Sequence, residues 1–215
     1  MKKKLTLLLL TSFVFTSMYA QKASREEINY SDPFQVDSSE YFLIPTLVDN
    51  DNKDAYGKGK GYLPWSHYSE IHFYHTGTNQ IRKLFNGQRT LILPFRSTSY
   101  SYIKEPVNEY PANILNNHIV YLARTENFND DNALDTEDPV YFYISTKSGE
   151  NLTQLTPKGM NVISWTVSKD KKMILVKLQV DKNRNKKFGE GDDQVYYRID
   201  LNDDVSKIKT YLISL

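Results

Sequence analysis

From Tyr41 to its end the chain is built of short apolar stretches, several alternating with a period of two, separated by turn residues. A period of two puts alternate side chains on opposite faces of a half-buried strand. The pattern predicts strands over 41–48, 71–75, 80–85, 89–95, 119–123, 139–144, 151–156, 162–167, 173–180, 194–201 and 208–213. Ile71 and Phe73 share a face in the second, and Ile174, Val176, Leu178 and Val180 share one in the ninth. Pro45 moves the first strand toward an edge or puts a bulge in it. Thr76-Gly77-Thr78-Asn79, Asn86-Gly87, Lys147-Ser148-Gly149-Glu150 and Ser168-Lys169-Asp170-Lys171 are the turns. Residues 96–117 carry two prolines and no alternation, and are expected as a long loop.

The strand pattern recurs. Val140-Tyr141-Phe142-Tyr143-Ile144 aligns with Val195-Tyr196-Tyr197-Arg198-Ile199 at a spacing of fifty-five, the scale of solenoid and propeller repeats. The last unit has four strands in meander order: Ile163-Ser164-Trp165, a charged turn, an apolar strand, a loop, then an aromatic strand ending in Ile199-Asp200-Leu201. That wording, with Lys147-Ser148-Gly149 and Leu152-Thr153-Gln154-Leu155-Thr156-Pro157 in the preceding unit, resembles the blades of TolB-like β-propellers. The resemblance covers roughly the second half of the chain and extends weakly over 41–85. It implies an all-β fold of three or four antiparallel β-meander units, propeller-like. Closed propellers have about four to eight blades, so an incomplete or open ring, a sandwich of meanders and a ring completed by oligomerisation are the alternatives.

Three acidic and amide-rich loops punctuate the repeat: Asp49 to Tyr56, Asn127 to Asp138, and Asp181 to Asp192. Calcium takes six to eight oxygen ligands, and Asp or Asn at alternate loop positions aims several at one point. The last loop offers Asp181, Asn183, Asn185 and Asp192 at positions one, three, five and twelve. The middle loop offers Asn127, Asn129, Asp131 and Asp138 at the same positions, with Asn132 at position six able to take a left-handed turn. Both resemble EF-hand or dockerin-type calcium loops. They depart from them in having Asp at position twelve, strand flanks and, in the last loop, Lys186 at position six. The first loop carries Lys53 at position five and Lys60 at position twelve, and no metal is expected there. Ordinary hydrated hairpin loops, in which Asp and Asn cap backbone N–H groups, are the competing account. Tyr56, Leu134 and Phe188, at position eight, are expected to plug each loop onto the sheet.

Composition narrows the setting. Lys2-Lys3-Lys4 followed by an uncharged run over 5–15 has the form of a secretory signal, with cleavage expected after Ala20; a retained anchor is the alternative. Residues 21–40 then form an N-terminal arm, or lie along a sheet edge through Phe34 and Val36, and 41–215 form a single β-repeat domain. Removing residues 1–20 lowers the basic count from 27 to 24 against 26 acids, a net of −2. Nothing in that balance favours nucleic acid, and no stable membrane span remains after cleavage. An exported chain without cysteine points to a bacterial secreted or periplasmic protein.

No nucleophile elbow, zinc helix or phosphate loop is present; Gly57-Lys58-Gly59-Lys60-Gly61 lacks the required spacing. His72 and His75 are three apart on a strand and face opposite sides. Tyr62, Trp65 and Tyr68 are candidates for contact with a protein or glycan partner, with core strand residues as the plainer account. The expectation is an exported, non-enzymatic binding module, calcium-stabilised through its loops. A hydrolase of envelope polymer or glycan using loop carboxylates, and a structural accessory of an envelope complex, are the alternatives.

Overall fold

The computed structural model describes residues 28–48, 67–95 and 113–214. The expected leader, the first Asp/Asn loop, Tyr62, Trp65 and most of the expected long loop lie outside those residues. The described chain is all-β, with antiparallel sheets and none closed. Its strands are β1 (Phe34–Gln35), β2 (Tyr41–Leu47), β3 (Tyr68–His75), β4 (Ile81–Lys83), β5 (Leu91–Ile92), β6 (His118–Arg124), β7 (Tyr141–Thr146), β8 (Thr153–Gln154), β9 (Met160–Val167), β10 (Met173–Val180), β11 (Asp193–Asp200) and β12 (Lys209–Ile213). Consecutive strands pair as three four-stranded meanders, β1–β4, β5–β8 and β9–β12. A single pairing, Tyr68 with Ile92, joins the first two into one sheet. Among the described residues no helix is long and apolar enough to cross a membrane.

Two apolar layers hold the meanders face to face, and the second meander lies between them. Ile119, Tyr121, Tyr141 and Tyr143 turn toward Leu43, Ile71 and Phe73 of the first meander. Their neighbours Val120, Phe142 and Ile144 turn the other way, toward Trp165, Ile174, Val176, Leu178 and Ile199 of the third. A sheet covered on both faces needs apolar residues at every position, which is why Tyr141-Phe142-Tyr143-Ile144 is a continuous apolar run while β10 alternates. The tyrosines on the first-layer side satisfy their hydroxyls locally: Tyr121 with Ser145 at 2.7 Å, Tyr143 with Thr125 at 2.7 Å and Gln154 at 2.9 Å, and Tyr141 donating to Glu126 at 2.9 Å. Burial raises the pKa of all three hydroxyls.

The N-terminal arm lies along the sheet edge, Phe34 opposite Leu43, and Val36 is fully buried. Pro45 sits beyond the end of β1, where its carbonyl accepts from Ser31 N–H at 2.9 Å, and a register shift follows between Thr46 and Leu47. Three strands are shorter than their apolar patterns. Beyond β4, Leu84 N–H still reaches the Ile71 carbonyl at 2.9 Å, but the return donor, Ile71 N–H, goes to the Glu70 carboxylate at 2.9 Å. Beyond β8, Leu155 N–H still reaches Phe142 carbonyl at 2.8 Å, but Phe142 N–H goes to the Thr156 hydroxyl at 3.0 Å.

Candidate functional site

The three Asp/Asn segments hold one topological place. Each joins the second and third strands of a meander: β2 to β3, β6 to β7, and β10 to β11. The last two are described throughout, and they share a hydrogen-bonding frame position by position. The position-two N–H donates to one oxygen of the position-twelve carboxylate, Phe128 to Asp138 at 2.8 Å and Lys182 to Asp192 at 3.2 Å. The position-nine N–H donates to its other oxygen, from Asp135 and from Gly189, at 3.0 Å in both loops. Position five donates to the side chain at three, Asp131 to Asn129 at 3.1 Å and Asn185 to Asn183 at 2.9 Å. Position seven donates to the side chain at five, from Ala133 and from Lys187, at 2.8 Å in each.

The backbone repeats as well. Positions four and six are left-handed in both loops, Asp130 and Asn132 at φ 60° and 66°, Arg184 and Lys186 both at 61°. Asn132 and Asp130 adopt this conformation more readily than Arg184 and Lys186, because short polar side chains bond locally. Leu134 at position eight is buried, 3% exposed. Phe188 instead stacks on Phe128 of the middle loop, ring centres 5.4 Å apart. Lys186 pairs with Asp130 across the same contact. Residues fifty-six positions apart thus bring the two loops side by side.

The loops differ at position one. Asp181 accepts from Asn185 and Lys186 N–H at 3.1 and 2.9 Å. Asn127 Oδ1 is buried, and among the described residues nothing donates to it. Depth differs too: Asp138 and Asp135 are 3% and 4% exposed, whereas Asp181 and Asp192 are half-exposed. Burial raises the Asp138 pKa, partly offset by backbone donors, with the Asp135 charge adding to the rise. Among the described residues no three His, Cys, Asp or Glu side chains converge on a metal position. The eight expected ligands supply two carboxylates per loop, the rest being asparagine amides, so a calcium shell here would also draw on carbonyls and water.

A separate cleft of about 700 Å³ opens between the β3–β4 hairpin and the Gly149–Leu152 turn after β7. Its walls include Gln80, Arg82, Lys83, Asn86, Glu150 and Asn151 over a floor of Tyr41, Phe73, Leu84 and Leu152. Tyr68, expected at a partner surface, is half-buried beside Phe95, ring centres 6.3 Å apart. His72 and His75 do face opposite sides: His72 meets Thr46 and the Tyr30 ring, and His75 meets Tyr41 and Glu40.

Sequence reasoning did not find the cleft, the loop-to-loop contact, or buried Asp135; the acid at position nine was the one local hint. No family model and no curated protein matches the chain.

Proposed function

We propose that this chain is an exported, non-catalytic interaction module, an open propeller-like stack of β-meanders whose Asp/Asn loops bind calcium and brace one face. The observation that carries the reading is the orphaned Asn127 Oδ1 at position one of the middle loop. A buried acceptor without a donor costs about 1–3 kcal/mol, and a cation bound there removes that cost. The position-twelve carboxylate of the same loop, Asp138, is buried and accepts from the N–H groups of Phe128 and Asp135, with Asn129 N–H also near, while the Arg124 guanidinium donates to the Asp138 backbone carbonyl at 2.9 Å. A carboxylate has about four acceptor sites, so these N–H groups leave at least one for a metal. Calcium held by both loops would fix the Phe128–Phe188 contact and so the second meander against the third. The equivalent placement of the three loops supports the repeat, and an open stack accords with three meanders where a closed ring takes four or more.

Binding is favoured over hydrolysis by the cleft. Among the described residues its one lining carboxylate is Glu150, already paired with Arg82 at 2.7 Å, and glycoside hydrolysis needs two carboxyl groups across the scissile bond. A secreted or periplasmic location is part of the same proposal, supported by the basic start and uncharged run over 2–15.

Asn127→Asp tests the reading with a sign. Without metal, a buried charge in place of an amide lowers stability; with calcium, the added carboxylate raises affinity. Calcium calorimetry and urea unfolding of the variant with EDTA and with calcium should show both. If the variant is destabilised equally in both conditions and binds no more tightly than wild type, the loops are hydrated turns.

A further inference from the structure

We infer that the cleft between the first two meanders is a binding site for a neutral oligosaccharide. Its charge is the first ground. Arg82 is neutralised by Glu150 across the cleft at 2.7 Å. His75 is taken up by its neighbours: its Nδ1 accepts from Gly77 and Thr78 N–H at 3.1 and 3.2 Å, and its Nε2 lies 3.2 Å from Glu40. Among the described residues, Lys83 is then the one Lys or Arg lining the cleft without an ion pair, too little for a phosphate or polyacid, which is held by several cations or by forked guanidinium contacts.

The kind of polar group is the second ground. Gln80, Asn86 and Asn151 are exposed amides, each offering donors and an acceptor. The Arg82–Glu150 pair adds a donor fork beside an acceptor pair. Vicinal hydroxyls, which donate and accept at adjacent atoms, are the ligand groups that use both. The floor supplies the apolar side that a sugar ring's C–H face requires, Tyr41 being half-buried against Phe73 and His75 at ring separations of 6.4 and 4.8 Å. The volume falls in the usual range for small-molecule sites, about 300–1,000 Å³.

The site is also held rigidly. Gly149 passes so close to Phe73 that a Cβ there would lie 2.6 Å from the ring, which fixes the turn carrying Glu150 and Asn151 against β3. A preformed wall lowers the ordering cost of binding.

None of the lining residues belongs to an Asp/Asn loop, so this site deepens the binding-module reading without depending on calcium. The test is native affinity electrophoresis of the full chain through gels containing laminarin, xylan, galactomannan or dextran, with polygalacturonate as the charged comparison, each run with calcium and with EDTA. Retardation by at least one neutral polymer is expected. Gln80→Ala and Arg82→Ala, both exposed, should each weaken it by about tenfold while leaving the melting temperature unchanged. Retardation with calcium alone would tie the site to the loops and overturn its independence. No retardation by any neutral polymer, stronger retardation by polygalacturonate, or undiminished retardation in both variants would overturn the assignment; the calcium calorimetry above would stand or fall separately.

Discussion

Gly149 offers the sharpest test of how the first two meanders fit together. It adopts φ +75°, and an added Cβ would lie 2.6 Å from both Cδ2 and Cε2 of Phe73. Gly87 adopts nearly the same φ, +82°, with nothing within 4 Å of its would-be Cβ. Alanine at Gly87 therefore incurs the left-handed backbone cost alone, about 1–2 kcal/mol. Alanine at Gly149 incurs that cost plus overpacking against a fully buried ring, about 1–3 kcal/mol more. Urea unfolding of the two variants reads the difference, with the slope of the transition expected to stay constant. Phe73→Leu should relieve the clash, so the double variant with Gly149→Ala should be less destabilised than the sum of the singles by about 0.5–3 kcal/mol. Equal destabilisation of the two glycine variants, together with additive behaviour toward Phe73→Leu, would show that the turn does not press on the first meander as described.

Two further perturbations follow from buried polar groups. Glu70, 8% exposed, accepts from Ile71 and Phe85 N–H at 2.9 Å and from Gly87 N–H at 3.2 Å. Glu70→Ala orphans three donors at about 1–3 kcal/mol apiece where water does not enter, so denaturant unfolding should show a loss of at least about 3 kcal/mol, with Glu70→Gln losing less. His118 is buried, and burial lowers its pKa below 6.5 against the opposing pull of Asp203. The unfolded chain then binds the proton more readily than the folded one, so His118's contribution to stability is present above pH 6.5 and is lost as pH falls from there through its lowered folded value. Urea midpoints across pH 5–8 should fall on the acid side, and His118→Gln should flatten that fall; an unchanged slope would assign it to other groups.

The strands with a clean period or a continuous apolar run were legible in the sequence. β10 occupies 173–180 as its alternation predicts, and β7 is found, two residues later at each end than the predicted 139–144, because a strand buried on both faces cannot hide its apolar run. The ends of β4, β5 and β8 were not legible. Side chains elsewhere decide two of them: Glu70 captures the Ile71 N–H that would have prolonged the β3–β4 ladder, and Thr156 replaces a ladder partner of β7. The Asp/Asn loops were visible as spaced side chains, and their shared frame is local enough to follow from that spacing. Their contact was not, since Phe128 and Phe188 meet only because the apolar layer between β6–β7 and β10–β11 sets those strand ends side by side. The cleft escaped for the same reason: Arg82 and Glu150 are sixty-eight residues apart.

Thermal unfolding of the chain in EDTA and then in millimolar calcium tests the central claim most directly. Calcium bound only by the folded state, at a hundred times its dissociation constant, adds about 2.7 kcal/mol, which for a chain of this size raises Tm by about 5–11 °C. The rise should shrink in Asp138→Ala and in Asp181→Ala and vanish when the two are combined. Superimposable curves in EDTA and calcium, or a rise that survives in the double variant, would contradict calcium binding by these loops.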